Sequence, residues 1–308
     1  MKKSIFSIIT MCALCFFALT SCQKEENLQD AHSQVSMGKS QYPEAIAAED
    51  LPSPATAPYI EPASFTNDHG TEQTGWLDGQ EIRFRSTDDS LAIISGDILV
   101  HKSAIKTDKN AIETRAATYQ YGRSWTNKIV YYQIDAQFPS VLRNSFLTAC
   151  YEWNRLTGIR FVQRTSTAQV NYIYVFRGNG DYSMLGMIGG KQNLSLNDTN
   201  QGVAIHELGH ALGMVHEHQR SDRDIALIIN PSADPSSVIN RFQSYNYGAF
   251  DWNSIMLYRS KPLGNGTYDM VRRSDRRAFP NTIESARAVG RYALPSVSDV
   301  NLMRSIYR

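Results

Sequence analysis

The stretch HELGHALGMVHEHQRSDRD at positions 206–224 restricts the local fold more than any other part of this chain. Residues 206–213 contain no proline and are rich in helix formers, so they predict a helix. On that helix, His206 and His210 lie one turn apart on the same face. Gly213 can adopt the left-handed backbone that ends a helix and turns the chain sharply. We therefore expect this turn to return His216 to the point that the first two imidazoles face.

Three imidazoles at one point form a neutral, nitrogen-rich site that suits zinc and leaves one coordination position for water. Glu207 projects from the neighbouring flank, where it can take a proton from that water as a general base. The alternative is a helix end that happens to be rich in histidine, but the added glycine and third histidine make that coincidence rare. The pattern predicts one catalytic zinc ion held by His206, His210 and His216. His218 has no partner spacing, and we expect a solvated loop histidine there.

The residues after the third histidine resemble those of the metzincins, and among them the astacin family. Glu217 follows directly, and RSDRD at positions 220–224 matches the family's Arg-x-Asp-Arg-Asp run. In that family the matching glutamate meets the new N-terminus of the matured enzyme inside the protein. The resemblance implies this structural role for Glu217, beside the turn at Gly213.

The stretch SIMLY at positions 254–258 resembles a second mark of the family, a turn with a methionine beneath the metal. Leu257 departs from the pattern, because the family usually has histidine there. The resemblance implies that Met256 forms the floor of the site. It also implies that Tyr258 is a fifth, swinging zinc ligand that stabilises the oxyanion. A short apolar run with methionine is more often core, but this one follows the zinc stretch in the family's order.

The resemblance covers positions 119–307, and we place the catalytic domain at 116–308. It implies an α+β fold: a metzincin-like, two-lobed catalytic domain with a twisted mixed sheet, an active-site helix and a C-terminal helix. The residue patterns agree with this class. Strand patterns occur near 127–134, 159–163 and 170–176, and helical patterns occur near 140–156, near 200–212 and from 296 onward.

Cysteine usage distinguishes this chain from animal astacins, which carry two disulfides. Gly158 and Asp181 stand where the family pattern predicts two of those cysteines. Cys150 is the one thiol that remains after the N-terminal segment, and its helical pattern predicts a small buried apolar residue. These departures bear on stability and leave the predicted zinc machinery intact.

Residues 1–21 combine a positive start, a short apolar run and small residues before a cysteine, as lipoprotein signal peptides do. LTSC resembles the bacterial lipobox, which implies that Cys22 carries lipid; a plain secretory signal is the alternative. Residues 22–75 are proline-rich with little hydrophobic periodicity and predict a disordered tether. We expect an exported protein anchored by lipid to the bacterial outer membrane, with periplasmic and cell-surface display both open. Activation would release the catalytic domain unless the pro-segment stays bound after cleavage.

Residues 76–115 recover strand patterns and are expected to form a pro-segment. SGDI within them resembles the family's Phe-x-Gly-Asp motif, with Ile94 in place of the aromatic residue. The resemblance implies that Asp97 occupies the open zinc position as a latency switch; the alternative is a plain Gly-Asp turn between strands. A cut after Arg115 would leave Ala116 at the mature N-terminus, unless this segment is an exposed basic loop that is never processed.

Two features concern the substrate. A strand near 182–185 is expected at the edge of the sheet, where it would bind the substrate backbone by strand addition. Four arginines lie in the half of the domain that walls the pocket past the scissile bond, and the sequence leaves their orientation open: Arg272, Arg273, Arg276 and Arg277.

Together these residues predict a zinc-dependent endopeptidase that hydrolyses extracellular proteins or peptides through a zinc-bound water, made as a latent, lipid-anchored precursor. The alternative is a catalytically inactive surface adhesin that retains the zinc fold. Glu207 and Tyr258 argue against the adhesin, because a binding module has no use for a positioned base. The net charge of +1 and the absence of nucleic-acid motifs argue against a nucleic-acid partner, and we expect a monomer.

Overall fold

The computed structural model describes residues 71–108, apart from 78, 88 and 89, and residues 124–308, apart from 234–239, 243–245 and 264–265. All of these residues belong to one compact unit. The predicted signal peptide, Cys22, nearly all of the predicted tether and the predicted cut between Arg115 and Ala116 lie outside the described residues. Within them, no helix is long and apolar enough to cross a membrane.

Among the described residues, one mixed sheet is built from nine strands: β1 (Gln73–Leu77), β2 (Gln80–Ser86), β3 (Leu91–Ile94), β4 (Ile98–His101), β5 (Ile129–Ile134), β6 (Arg160–Gln163), β7 (Tyr172–Phe176), β8 (Tyr182–Met184) and β9 (Lys191–Ser195). Their order across the sheet is β1-β2-β3-β4-β8-β9-β7-β5-β6. The first four strands pair in antiparallel fashion and are here called the N-terminal meander, residues 73–101. Two further strands, β10 (Leu227–Ile229) and β11 (Met270–Arg272), pair separately.

The meander joins the rest of the sheet through a parallel pairing of β4 with β8, in which Ile98 lies opposite Ser183 and Leu99 opposite Met184. On its other side, β8 pairs in antiparallel fashion with β9. Because β8 is paired on both sides when the meander is present, the prediction that residues 182–185 form a sheet edge is wrong. The physical reason is that the backbone groups of β4 complete the hydrogen-bonding ladder that β8 would otherwise leave open.

Four α-helices lie in the described part of the chain: α1 (Ser140–Thr157), α2 (Gln201–Ala211), α3 (Thr282–Ala288) and α4 (Val297–Ile306). α1 ends at Gly158, whose φ of 76° is the left-handed conformation that glycine adopts without strain. α2 begins at Asn200, whose side chain accepts a hydrogen bond from the backbone N–H of Gly202. Ser296 and Asp299 form a reciprocal capping box at the start of α4.

The largest apolar core lies between α1, α2 and the sheet, and two tryptophans fix α2 within it. The indole N–H of Trp153 donates to the carbonyl of Ile205 at 3.0 Å, and that of Trp125 donates to the carbonyl of Ala211 at 2.8 Å. Both rings are buried, so neither bond competes with water. Cys150 is also buried in this core, as expected. The helix that carries two predicted ligands is thus held at its middle and at its C-terminal end.

The α+β class is confirmed: a large mixed sheet carries an active-site helix and a C-terminal helix. Where the resemblance predicts a cysteine, Asp181 has a different structural task. Its buried carboxylate accepts the backbone N–H groups of Asn197 at 2.7 Å and Asp198 at 3.1 Å. Burial raises the pKa of Asp181 to about 6. These bonds tie the start of β8 to the segment that leads into α2.

Candidate active site

The helix–turn predicted from the sequence brings three imidazoles to one point. α2 places His206 and His210 on one face, and Gly213, with a φ of 106°, turns the chain directly after the helix. The Nε2 atom of His206 lies 3.1 Å from that of His210 and 3.3 Å from that of His216. All three side chains are buried. The structure therefore gathers the predicted ligand set.

Backbone carbonyls orient the first two imidazoles. The Nδ1 atom of His206 lies 2.8 Å from the carbonyl oxygen of Ile255, and that of His210 lies 2.7 Å from the carbonyl oxygen of Met214. Because a carbonyl oxygen only accepts, Nδ1 carries the proton in both rings, and Nε2 presents a lone pair to the site. Burial also lowers the pKa of His210 to about 4, which favours the neutral ring that binds metals.

The third imidazole is oriented by a side chain. The Nδ1 atom of His216 donates to the amide oxygen of Gln219 at 3.0 Å, and Gln219 is itself fully buried. A short 3-10 turn at Glu217–Gln219 allows this contact over three residues. The role of Gln219 was not predicted; a glutamine three residues beyond a ligand was the available signal, and it is a weak one.

A carboxylate completes the cluster. Asp97 follows Ser95 and Gly96, whose φ values of 62° and 94° turn the chain between β3 and β4. Its two oxygens lie 3.1–3.3 Å from the Nε2 atoms of all three histidines. Burial by itself would raise the pKa of Asp97, but the surrounding imidazoles lower it well below its usual value. Asp97 is thus an anion in contact with every predicted ligand.

This donor set fits a metal ion. The imidazole nitrogens and the Asp97 carboxylate lie within 4.8 Å of one another and are buried. Acceptor lone pairs that converge in this way repel one another unless a cation lies among them. Imidazole nitrogen with a carboxylate oxygen is a ligand combination that zinc accepts.

Glu207 lies on the flank of α2 beside the ligands. It is fully buried, and neither of its carboxylate oxygens has a hydrogen-bond partner among the described residues. Burial, and then the negative charges of Asp97 and Asp181, raise the pKa of Glu207 well above its usual value. A buried carboxylate left without a protein partner is costly, which is typical of a group kept for chemistry.

The SIMLY turn lies under the ligands. The sulfur of Met256 lies 2.7 Å from where a Cβ on Gly209 would stand, so a larger residue at 209 would clash with this floor. The hydroxyl of Tyr258 donates to Asp97 Oδ2 at 2.5 Å. Its ring packs 4.3 Å from the ring of His216, between centroids. Met256 and Tyr258 are both buried.

His218 corrects the sequence prediction of a solvated loop histidine. It is fully buried, and its ring stacks on Tyr258 at 4.8 Å and on His216 at 4.9 Å, between centroids. The 3-10 turn directly after His216 rotates the ring inward beneath Tyr258. The prediction was wrong because it considered metal-ligand spacing alone and could not see this packing.

Glu217 lines a cavity that the ligand His216 also lines. Its carboxylate accepts the backbone N–H of Asp251 at 2.7 Å and a guanidinium N–H of Arg220 at 3.2 Å. Burial raises the pKa of Glu217 to about 7. The cavity beside it is also lined by Gly213, Val215, Arg220, Asp299 and Leu302.

Two of the four arginines that the sequence analysis placed near the pocket past the scissile bond bind neighbouring residues through their side chains. Arg272 pairs with Asp275 at 3.0 Å. The guanidinium of Arg273 donates to the carbonyl oxygens of Asp224 and Leu227. Both arginines therefore stabilise the region around β10 and β11.

The chain is similar over part of its length to curated proteins that include zinc metalloproteinases. It is 34% identical over 172 residues to zinc metalloproteinase nas-15 of Caenorhabditis elegans, which covers 53% of this chain and 29% of that protein. It is 34% identical over 203 residues to the dorsal-ventral patterning protein tolloid of Drosophila melanogaster, covering 60% and 18%. Astacin-like metalloprotease toxin 1 of Loxosceles intermedia is 34% identical over 193 residues, covering 58% and 68%. The chain thus spans less than a third of the first two relatives.

The solved structure of high choriolytic enzyme 1, a hatching enzyme zinc-protease from the medaka fish Oryzias latipes, is similar in fold. The TM-score is 0.53 at 28% identity, and the match covers 64% of this chain and 98% of that one. The model of the peptidase family described as Astacin matches residues 117–308, which is more than half of the chain. The resemblance expected from the zinc stretch and the SIMLY turn is confirmed, and the chain belongs to the astacin family.

Proposed function

We propose that this chain is a zinc-dependent endopeptidase that hydrolyses peptide bonds of extracellular proteins or peptides. The observation that carries the proposal is the pairing of two features at one point. Three oriented imidazoles present their Nε2 lone pairs to a single position, and Glu207 lies beside them as a buried carboxylate without a protein partner. A metal-binding module needs only the first feature, whereas hydrolysis needs both.

The residues divide the chemistry among themselves. His206, His210 and His216 would hold zinc, which acidifies a water molecule and polarises the scissile carbonyl when bound. Glu207 accepts the proton of the attacking water and then passes it to the leaving amine, a task that its raised pKa favours. Tyr258 donates a hydrogen bond to the oxyanion. Its hydroxyl already donates to an anionic oxygen at this position, that of Asp97.

The test compares the activated wild type with a Glu207→Gln variant on casein, with and without a chelator. The variant should lose peptidase activity and keep its zinc, because the change removes the base and no ligand. Glu284→Gln, on α3, is the matched control and should retain activity. Metal analysis that finds zinc lost in Glu207→Gln would contradict the role of Glu207. Full activity in that variant would contradict the mechanism, and a wild type without activity would favour the inactive adhesin.

We further propose that the N-terminal meander belongs to a pro-segment and that Asp97 keeps the enzyme latent. Two observations support this. The Asp97 carboxylate takes up the space in front of the three Nε2 atoms, where the attacking water must stand. In addition, β4 pairs with β8, the strand expected to bind substrate. In the latent precursor, Asp97 would therefore block the metal position and β4 would cover the strand that binds substrate.

Activation would follow a cut after Arg115, which frees Ala116 as a new N-terminus. What supports this step is the buried carboxylate of Glu217, which lines a cavity and could pair with an incoming ammonium group. The LTSC sequence supports lipid attachment at Cys22, and we propose that the precursor is anchored at the bacterial outer membrane. N-terminal sequencing of the active species tests the cut, since an active species that begins far from Ala116 would remove it.

A further inference from the structure

The strand that follows Asp97 is the most direct indication of what the cleft accepts. β4 lies against β8 with Ile98 opposite Ser183 and Leu99 opposite Met184, one and two residues beyond the carboxylate in the metal cluster. A strand advances about 3.3 Å per residue, so these two positions adjoin the reacting centre. Successive side chains of β4 point to opposite faces of the sheet.

On one face, Leu99 enters a buried apolar cluster. It is 2% exposed and packs with Tyr182 and Met184 of β8, which are 8% and 1% exposed. Phe176 and Ile188 extend the same cluster. The meander contributes Ile93 and Leu91 to this cluster as well as Leu99. Tyr182, Met184, Phe176 and Ile188 belong to the catalytic part of the chain, so their apolar surface stays behind when the meander leaves.

On the opposite face, Ile98 enters a second apolar cluster. It is fully buried in a cluster that consists mostly of other meander residues and also contains Leu185, Phe242 and the partly buried Val215. These three residues also belong to the catalytic part of the chain. The catalytic part therefore presents apolar side chains on both faces of the sheet at the place where β4 lies.

We propose that this two-sided apolar surface, formed by Tyr182, Met184, Leu185 and Phe242, selects extended substrates that carry large aliphatic side chains at two adjacent positions. Both positions lie on the same side of the scissile bond, at the place that Ile98 and Leu99 occupy in the precursor. The inference rests on the proposed function and adds a substrate class to it. A substrate strand on β8 buries one side chain on each face, as β4 does.

The charge distribution supports an apolar preference. Met184, Leu185 and Phe242 carry no charge, and the polar atom of Tyr182 lies at one end of its ring. Burying a charged or amide side chain in either cluster would leave polar groups without partners, which is costly. Burial of each aliphatic side chain contributes enough to change kcat/KM by about tenfold.

The first experiment uses the full-length chain after limited trypsin treatment that yields active enzyme. Quenched fluorescent peptides carry Ile-Leu, Ser-Gln or Lys-Glu at two adjacent positions, placed on either side of one fixed scissile bond. Ile-Leu should raise kcat/KM by about tenfold or more over Ser-Gln on one side only, and Lys-Glu should be the poorest. Equal kcat/KM for the three pairs on both sides would overturn the inference.

The second experiment changes the enzyme. Met184→Gln keeps a similar shape but places an amide in the cluster, so the preference for Leu over Gln at one position should fall several-fold. Val162→Gln, on β6 at the far edge of the sheet, is the matched control and should keep the wild-type preference. An unchanged preference in Met184→Gln would contradict the assignment of this surface.

Binding separates this inference from the proposed function. Fluorescence anisotropy on trypsin-treated Glu207→Gln measures the affinity for the same peptides without cleavage. If the wild type cleaves nothing but the variant binds Ile-Leu peptides selectively, the proposed catalysis fails and the selective surface stands. If casein is cleaved but neither kcat/KM nor affinity distinguishes the peptides, the surface assignment fails alone.

Discussion

Two of the three ligand imidazoles are held by backbone carbonyls, but the third depends on one side chain. Replacing Gln219 by Leu removes the acceptor for His216 Nδ1–H and leaves that donor buried without a partner. Loss of such an orienting partner typically weakens metal binding about 10- to 100-fold. We expect Gln219→Leu to do so, measured by competition with a chromogenic zinc chelator. Gln219→Glu keeps an acceptor oxygen and should bind zinc more tightly than the leucine variant; equal affinity in all three proteins would contradict the orienting role.

Tyr258 allows the oxyanion role to be tested separately from packing. Tyr258→Phe removes the hydroxyl and keeps the ring that stacks on His218 and His216. Because only the transition state carries the oxyanion, kcat should fall by up to about 100-fold while KM changes little. Steady-state kinetics on one peptide substrate checks this. A change confined to KM would place Tyr258 in substrate binding instead.

The ligands could be predicted from the sequence because their geometry is local. His206, His210 and His216 are joined by one helical turn and one glycine turn, so spacing alone determines that they meet. The environment of His218 is not local. Its burial depends on the ring of Tyr258, which arrives from a distant segment, and no spacing rule contains that contact. The same holds for Glu207, whose lack of a protein partner emerges only when the surrounding core is assembled.

At the scale of elements, α4 supports the turn beneath the metal site. Asp299 accepts the hydroxyl of Ser254 at 2.7 Å and the backbone N–H of Ile255 at 2.8 Å, while it also caps α4. The carbonyl of Ile255 in turn accepts from His206. The sequence predicted a helix from position 296 onward, but not the second task of Asp299, because that task joins two elements distant in the chain.

Asp299 should make stability depend on pH. Burial raises its pKa to about 6, above the usual value of 3.8, so the folded chain holds this proton more tightly than the unfolded chain does. The free energy of unfolding should therefore fall as pH rises from about 4 to 6, by up to about 3 kcal/mol from this group. Asp251, which lies nearby, adds to the effect through its negative charge.

The measurement is urea unfolding of wild type and Asp299→Asn at pH 4 and pH 7, under the same metal conditions. The asparagine variant does not titrate, so the loss of stability between the two pH values should be smaller than in the wild type. Any pH dependence of metal binding is common to both proteins and cancels in the comparison. Asp108→Asn, an exposed change, should behave as the wild type. An equal loss in Asp299→Asn would show that this carboxyl is not responsible.

The N-terminal meander shows where strand patterns stop being informative. The alternation in EIRFR and the apolar run LAIISGDILV predicted strands, and β2, β3 and β4 are present there. The pairing of β4 with β8 could not be predicted, because the register between distant strands is set by packing and not by local pattern. At the observed register, Ile98 and Leu99 are buried in two apolar clusters on opposite faces of the sheet.

At the scale of the whole molecule, the meander is attached to the catalytic part at several independent points. β4 pairs with β8, the Asp97 carboxylate contacts the ligands, and Asn240 exchanges two hydrogen bonds of 2.9 Å with the backbone of Arg83. None of these contacts involves the segment around Arg115. A cut there removes the covalent link and leaves the contacts, so release of the catalytic part also requires that the β4–β8 pairing dissociate.

This arrangement predicts how activity divides between membrane and released fractions. With lipid at Cys22 and the cut at Arg115, the wild type should be latent while anchored and active mainly after release. Asp97→Ala exposes the metal but leaves β4 on β8, so the uncut, anchored variant should cleave short peptides slowly and gain full activity only on release. Peptidase assays on both fractions, with immunoblots that identify uncut chain, make the comparison, and Asp108→Ala is the control that should stay latent.

If the anchored, uncut wild type has full activity, Asp97 is not a latency switch. If uncut Asp97→Ala remains as inactive as the wild type, pairing of β4 with β8 is the main cause of latency, and the carboxylate adds little to it.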